Sequence, residues 1–197
     1  MSLRLPRAAL AACAIPLLFP ALAWAETGQI AGKVSASPAK YLKETVVYLE
    51  GAAKGGTPKT ETMDQRHMTF IPHLLDITEG DTVKFTNHDS VNHNVFSPDV
   101  DAYNLGNFPP GQSRSHTFTK PGGYSQLCSL HPEMLAYVFV SPTPYHAKVK
   151  ADGAYEIKGV PPGSYQLAVW NSHLKAAAQP VTVAAGQTAR VDVSLQH

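Results

Sequence analysis

The sequence predicts an all-β protein, and three observations carry that prediction. No apolar period of 3.6 residues is sustained over ten positions after Gly28. Short segments of alternating apolar and polar residues recur instead, at 30–34, 46–49, 82–86, 115–119 and 189–195. Turn signals stand between them: Glu79-Gly80-Asp81, Pro109-Pro110-Gly111, Pro121-Gly122-Gly123 and Pro161-Pro162-Gly163.

The first element is a targeting segment. Arg4 and Arg7 precede an apolar run from Ala8 to Leu22, which ends in Ala23-Trp24-Ala25. This is the pattern of a secretory signal peptide, residues 1–25, cleaved before Glu26. The run is too short to span a bilayer and is broken by Pro16 and Pro20. Leu10-Ala11-Ala12-Cys13 resembles an acylation box, but the apolar stretch ahead of Cys13 is too brief for a signal core. The expected product is an exported protein, periplasmic or secreted, with no membrane insertion.

Cleavage after residue 25 of 197 leaves 172 residues, enough for one ordinary domain or two small ones. Losing Arg4 and Arg7 from 16 basic residues leaves 14 against 15 acidic ones. A nearly neutral chain of this kind suggests neither nucleic acid nor an anionic membrane as partner. Cys13 departs with the signal, so Cys128 is the only thiol of an exported chain and has no internal partner for a disulfide. It demands another explanation: a buried small hydrophobe, a reactive thiol, or a ligand protected by a metal.

The strands then fall into two groups. In the middle of the chain Thr82 to Thr86 and Ser115 to Thr119 alternate, while Tyr137 to Val140 is a continuous apolar run. After Ser141 the pattern becomes Tyr155, Ile157, Tyr165, Leu167 and Val169 about Pro161-Pro162-Gly163, where Gly163 suits the positive φ of a type II turn. Residues 142–197 alone have little core to bury, and the N-terminal segment Gly28 to Gly51 is expected to complete them.

Both groups carry family resemblances. Gly28-Gln29-Ile30-Ala31-Gly32-Lys33-Val34, Asp152-Gly153-Ala154-Tyr155-Glu156-Ile157 and Pro161-Pro162-Gly163-Ser164-Tyr165-Gln166-Leu167 resemble the carboxypeptidase regulatory-like (transthyretin-like) β-sandwich. Between these flanks lie Phe70 to Pro72, Gly80 to Val83, Asn87 to Asp89, His93 to Val95 and Gly122 to Cys128, which resemble the cupredoxins, closest to amicyanin and plastocyanin. The resemblance implies a Greek-key β-sandwich at 62–141, inserted in a regulatory-like sandwich made of 26–61 and 142–197. Two departures stand out: Gln126 occupies a position where an aromatic is common, and the first cupredoxin strand is missing or borrowed from Val46 to Leu49.

Cys128, His131 and Met134 share one loop at the spacing C-x2-H-x2-M, and His93 lies on an earlier loop. Two imidazoles and a thiolate in a near-trigonal plane, with a weak axial thioether, are the donors of a type 1 copper site. Zinc is a poorer match, because a thioether is a poor zinc ligand. A cysteine nucleophile would need an orienting group that nothing nearby supplies.

The resemblance further implies one copper per chain. It also implies that Asn94 bonds across to the Ser129 loop while its backbone N–H points at Cys128. The expected function is a non-enzymatic one-electron carrier. Its redox partner, a cytochrome or a periplasmic oxidoreductase, would dock at an apolar patch of His131, Leu130, Pro132, Pro109 and Phe96. The alternative is a copper-binding protein for tolerance or delivery. Met63, His67, Met68 and His73 stand out as candidates for an auxiliary copper-loading site, and His88, His116, His146, His173 and His197 read as surface residues.

Overall fold

The structure, a computed structural model, describes residues 26–197; the expected signal peptide, 1–25, lies outside the described residues. The protein is all-β, with a short 3-10 helix at Ala39–Glu44. Its strands form four sheets.

The flanks pair with one another across the middle of the chain. Strand Gly28–Ala36 runs antiparallel to Ala154–Val160 and parallel to Thr188–Arg190 and Val193–Leu195. Strand Thr45–Glu50 lies between His146–Lys148 and Gly163–Asn171, and Gln179–Val183 closes that second sheet. The inward faces of the two sheets share one core, with Ile30 and Val34 opposite Val47, Leu49 and Leu167.

The middle of the chain makes the other two sheets. One orders Leu74–Thr78, Leu135–Ser141, Gly122–Leu127, His93–Ser97 and Tyr103–Phe108; the other orders Thr69–Ile71, Thr60–Arg66, Thr82–Asn87 and Ser113–Thr117. Their shared core contains Met63, Phe70, Phe85, Val95, Phe108, Tyr124 and Val138.

Val46 to Leu49 is not lent to this second sandwich. Strand Thr60–Arg66, parallel to Thr82–Asn87 and antiparallel to Thr69–Ile71, supplies the missing strand. It does so because Met63 and Gln65 are buried on its core face, a pattern hidden in the sequence by the polar residues around Met63. That strand also runs through residue 62, where the sequence had suggested a seam between domains.

The two sandwiches meet over a third cluster: Val46, Leu74 and Phe139, flanked by Tyr48, Tyr137 and Trp170. Successive residues of a strand face opposite sides. Thus Val47 enters the flanking core while Val46 enters the seam, and Val138 and Val140 enter the middle core while Phe139 enters the seam. Tyr137 to Val140 reads as an unbroken apolar run because both faces of its strand are covered. The four sheets therefore stack as four layers, with the seam as the central contact.

The Pro-Pro-Gly turn differs from expectation. Gly163 does not have positive φ; Gly159, four residues earlier, does. A Cβ at Gly163 would lie 2.9 Å from the Tyr165 hydroxyl, which folds back to donate to the Pro161 carbonyl at 2.8 Å, so a larger residue there would displace the tyrosine tip.

Candidate metal centre

Two strand ends bring the donors together. Strand Gly122–Leu127 delivers Cys128 at its C-terminal end, and Leu127 pairs with Phe96 in the strand that begins at His93. The loop 128–134 then turns back on itself, with the Met134 N–H donating to the His131 carbonyl at 3.0 Å. His93, Cys128 and Met134 are buried; His131 is half-buried.

The Nδ1 atoms of His93 and His131 lie 3.1 Å apart, and Cys128 Sγ is 4.0 Å from the first and 3.8 Å from the second. This is a triangle of one sulfur and two nitrogens. These separations suit donors that share one ion at about 2.1 Å from each nitrogen and about 2.3 Å from the sulfur. Met134 lies in the same buried cluster as Cys128.

The surroundings prepare these donors to bind a metal. Asp89 Oδ2 lies 3.1 Å from His93 Nε2 and also accepts the Met68 N–H at 2.7 Å. The Met68 N–H, then the His93 bond, hold the Asp89 carboxyl down at about 2. An ionised carboxylate accepts a hydrogen bond from Nε2–H and so fixes the ring proton there, which leaves Nδ1 with a bare lone pair. That lone pair faces His131 Nδ1 and a thiol, so a cation is the natural occupant of the space between them.

Asn94 ties the two loops. Its backbone N–H donates to Cys128 Sγ at 3.3 Å, and its Oδ1 accepts the Ser129 N–H at 3.3 Å. Asn104, which the sequence did not single out, accepts from Asn94 Nδ2 at 2.9 Å and so fixes the amide's orientation. Gln126 is buried and its Oε1 accepts the Tyr103 hydroxyl, which explains how a polar residue fills a position that favours aromatics. Desolvation pushes the Tyr103 phenol far above its ordinary range, so it remains a donor there. Of these supporting groups Asn94 was expected from the resemblance, Gln126 stood out as a departure from it and Asp89 lay in the Asn87 to Asp89 segment, whereas Asn104 and Tyr103 carried no sequence signal.

The auxiliary set Met63, His67, Met68 and His73 is dispersed. Met63 is core, Met68 and His67 lie on the exposed turn after Thr60–Arg66, and His73 lies at the seam against Glu44 at 3.0 Å. His146 is not a surface residue: Nδ1 meets Asp76 at 2.9 Å and Nε2 meets Thr78 at 3.2 Å. His116 stacks on Tyr103 with ring centroids 3.8 Å apart. Among the described residues, no helix is long and apolar enough to cross a membrane.

Residues 58–141 match the family model for copper binding proteins of the plastocyanin/azurin family, and residues 134–196 match that of the carboxypeptidase regulatory-like domain. Among solved structures the chain is similar to a purple cupredoxin from Nitrosopumilus maritimus, at 31% identity, covering 41% of this chain and 98% of that one with a TM-score of 0.38. It is similar to amicyanin from Paracoccus versutus at 26% identity, covering 40% of this chain and 78% of the other with a TM-score of 0.38. A copper-containing nitrite reductase from Thermus scotoductus SA-01 is similar at 30% identity over 47% of this chain with a TM-score of 0.40, and only 25% of that longer chain is spanned.

Proposed function

We propose, for a chain that belongs through residues 58–141 to the plastocyanin/azurin family of copper binding proteins, the role of an exported, non-enzymatic one-electron carrier with a single type 1 copper site. The observation that supports this best is the buried triangle of His93 Nδ1, His131 Nδ1 and Cys128 Sγ. In this reading His93, Cys128 and His131 would hold copper, with Met134, buried in the same cluster as Cys128, as the fourth ligand. Bound copper would supply the Cu(II)/Cu(I) couple.

The chain's own residues supply the rest. Cys128 would supply its sulfur as a ligand, with the Asn94 N–H directed at it. Asn94 and Asn104 hold the two ligand loops in one arrangement, so little of the site moves when charge arrives. Burial of Cys128, His93 and Met134 excludes water. His131 is the half-buried ligand, beside the exposed Leu130 and Pro132. The partner, a cytochrome or a periplasmic oxidoreductase, would dock there and exchange electrons through the imidazole edge.

The flanking sandwich, 26–61 with 142–197, would act as the frame into which the copper domain, 62–141, is inserted; the pairing of Gly28–Ala36 with Ala154–Val160 supports this division. Delivery or storage of copper is the alternative. The tie between the ligand loops favours retention, since a courier must open its ligand set to release Cu(I).

Visible absorption of the mature protein with Cu(II) tests the site. Intense blue or green colour, abolished in Cys128→Ser, is expected, and a colourless copper-loaded wild type would overturn the assignment. Slow copper loss to a Cu(I) chelator together with fast electron exchange with a cytochrome is expected of a carrier. The opposite pair of results would make the protein a copper courier.

A further inference from the structure

Charge is divided unequally between the two sandwiches. Residues 62–141 carry eight acidic side chains against four lysines and arginines, whereas 26–61 with 142–197 carry ten lysines and arginines against seven acids. The nearly neutral total therefore conceals a basic flanking sandwich beside an acidic copper domain. Segments 39–44 and 171–175 of the flanking sandwich meet through Asn171. Its Nδ2 donates to the Tyr41 and Glu44 carbonyls at 2.8 and 3.1 Å, and its Oδ1 accepts the Leu174 N–H at 2.8 Å. Lys40, Lys43 and Lys175 are exposed on these segments. Among the described residues no carboxylate oxygen comes within 4.0 Å of their Nζ atoms. Glu44, the one acid of the two segments, is buried against His73 and Ser172. This corner shows its cations to solvent and hides its anion.

A run of contacts joins the corner to the metal centre. Glu44 lies 3.0 Å from His73, whose carbonyl accepts the Tyr137 N–H at 2.9 Å. Tyr137 stands three residues after Met134, about 10 Å along an extended strand. Ile71 and Leu135, each two residues before His73 and Tyr137, are 47% and 38% exposed, and the strands that carry them lie against each other. Leu130, beside His131, is exposed as well. Large apolar side chains left in water next to a charged rim are the pattern of an interaction surface.

We infer that Lys40, Lys43 and Lys175 of the flanking sandwich, with Ile71 and Leu135 of the copper domain, extend the edge at His131 into one docking surface for an acidic redox protein. The inference rests on the carrier reading above and adds the charge of the partner. The copper domain by itself is acidic and would repel such a protein. The flanking sandwich reverses the sign of the potential on one side of the metal end. Exposed charges act over a Debye length, about 30 Å at 0.01 M salt and about 10 Å at 0.1 M, so at low salt the lysines steer the partner across the path just traced. The apolar residues then hold it against the imidazole edge.

The test uses the full exported chain loaded with Cu(II) and two reductants: ferrous cytochrome b5, an acidic haem protein, and hexaammineruthenium(II), a small cation. One electron passes from Fe(II) or Ru(II) to Cu(II), and bleaching of the visible band reports it. The second-order rate with the cytochrome should fall as ionic strength rises from about 0.01 to about 0.1 M. Lys43→Glu should lower that rate about tenfold at low salt and should not lower the rate with ruthenium. Lys84→Glu makes the same change of charge at an exposed position of Thr82–Asn87, in the sheet turned away from the flanking sandwich, and should leave the cytochrome rate nearly unchanged. Carbodiimide, which condenses an amine with a carboxylate, should join the cytochrome to Lys40, Lys43 or Lys175 with or without copper. An unchanged rate in Lys43→Glu, an equal loss in Lys84→Glu, or cross-links confined to other lysines would overturn the surface. Cross-links at Lys40 or Lys43 without reduction by either reagent would sink the carrier reading and leave the docking surface standing.

Discussion

Histidine meets carboxylate both at the metal centre and at the seam, but the second ring nitrogen is used differently in the two places. Asp89 engages Nε2 of His93 and leaves Nδ1 facing another imidazole and a thiol. His146 has a protein partner on each nitrogen, Asp76 on Nδ1 and Thr78 on Nε2. The first arrangement presents a lone pair to a metal; the second is complete as a clamp between the sandwiches. Burial does not separate them, since both imidazoles are well covered. The partner of the second nitrogen does.

The comparison requires the seam to be a packed core as firm as the one beneath the metal. Phe139 is buried there between Tyr48 and Trp170, with ring centroids 5.0 and 5.4 Å away. Phe139→Ala should cost about 3–5 kcal/mol, read from denaturant unfolding, within one cooperative transition. A loss below about 1 kcal/mol, or two separate transitions in the wild type, would reduce the seam to loose docking.

Removing the orienting carboxylate probes the other side. Asp89→Ala should lower copper affinity about 10- to 100-fold and broaden or shift the visible band, while the stability of the seam is untouched. If affinity is unchanged, the second nitrogen of His93 is not what prepares this site. A third variant acts through space alone. A Cβ on Gly123 would lie 2.2 Å from Trp170 Nε1, so Gly123→Ala must displace the indole. The expected cost is about 1–3 kcal/mol, with altered tryptophan fluorescence and an unaltered copper band.

What could be read beforehand follows from the distance over which each feature acts. Cys128, His131 and Met134 share one loop, so their spacing alone places them together, and the resemblance at His93 supplied the fourth residue. Asn104 and Tyr103 reach the site from a neighbouring strand whose register no local pattern encodes. The apolar runs at Val46-Val47 and Tyr137 to Val140 announced strands buried on two faces, but not what covers the second face. Glu44, His73 and His173 come from three distant segments, and His146 looked like a surface residue because its partners, Asp76 and Thr78, lie on a strand of the other sandwich. The strand Thr60–Arg66 was obscured because a single core methionine stands among polar residues.

Acid should distinguish clamp from ligand with the smallest effect of the four. Burial raises the Asp76 carboxyl, but the His146 hydrogen bond and the charges of His146 and Lys148 outweigh it, and the net shift is downward from 3.8. A carboxylate whose folded value is depressed contributes stability that is fully present above its unfolded value, near 3.8, and is lost as pH falls through the folded value. His146 is the partner across the seam, so this contribution belongs to the contact between sandwiches. Asp76→Asn should therefore lose on the order of 1 kcal/mol near neutral pH, and its unfolding midpoint should fall less steeply than that of the wild type below 3.8. Its copper band should match the wild type at neutral pH, since Asp76 touches no donor of the metal centre. Parallel acid slopes for the two proteins would mean that the Asp76–His146 pair does not couple the sandwiches, and the seam would then rest on Phe139 and its neighbours alone.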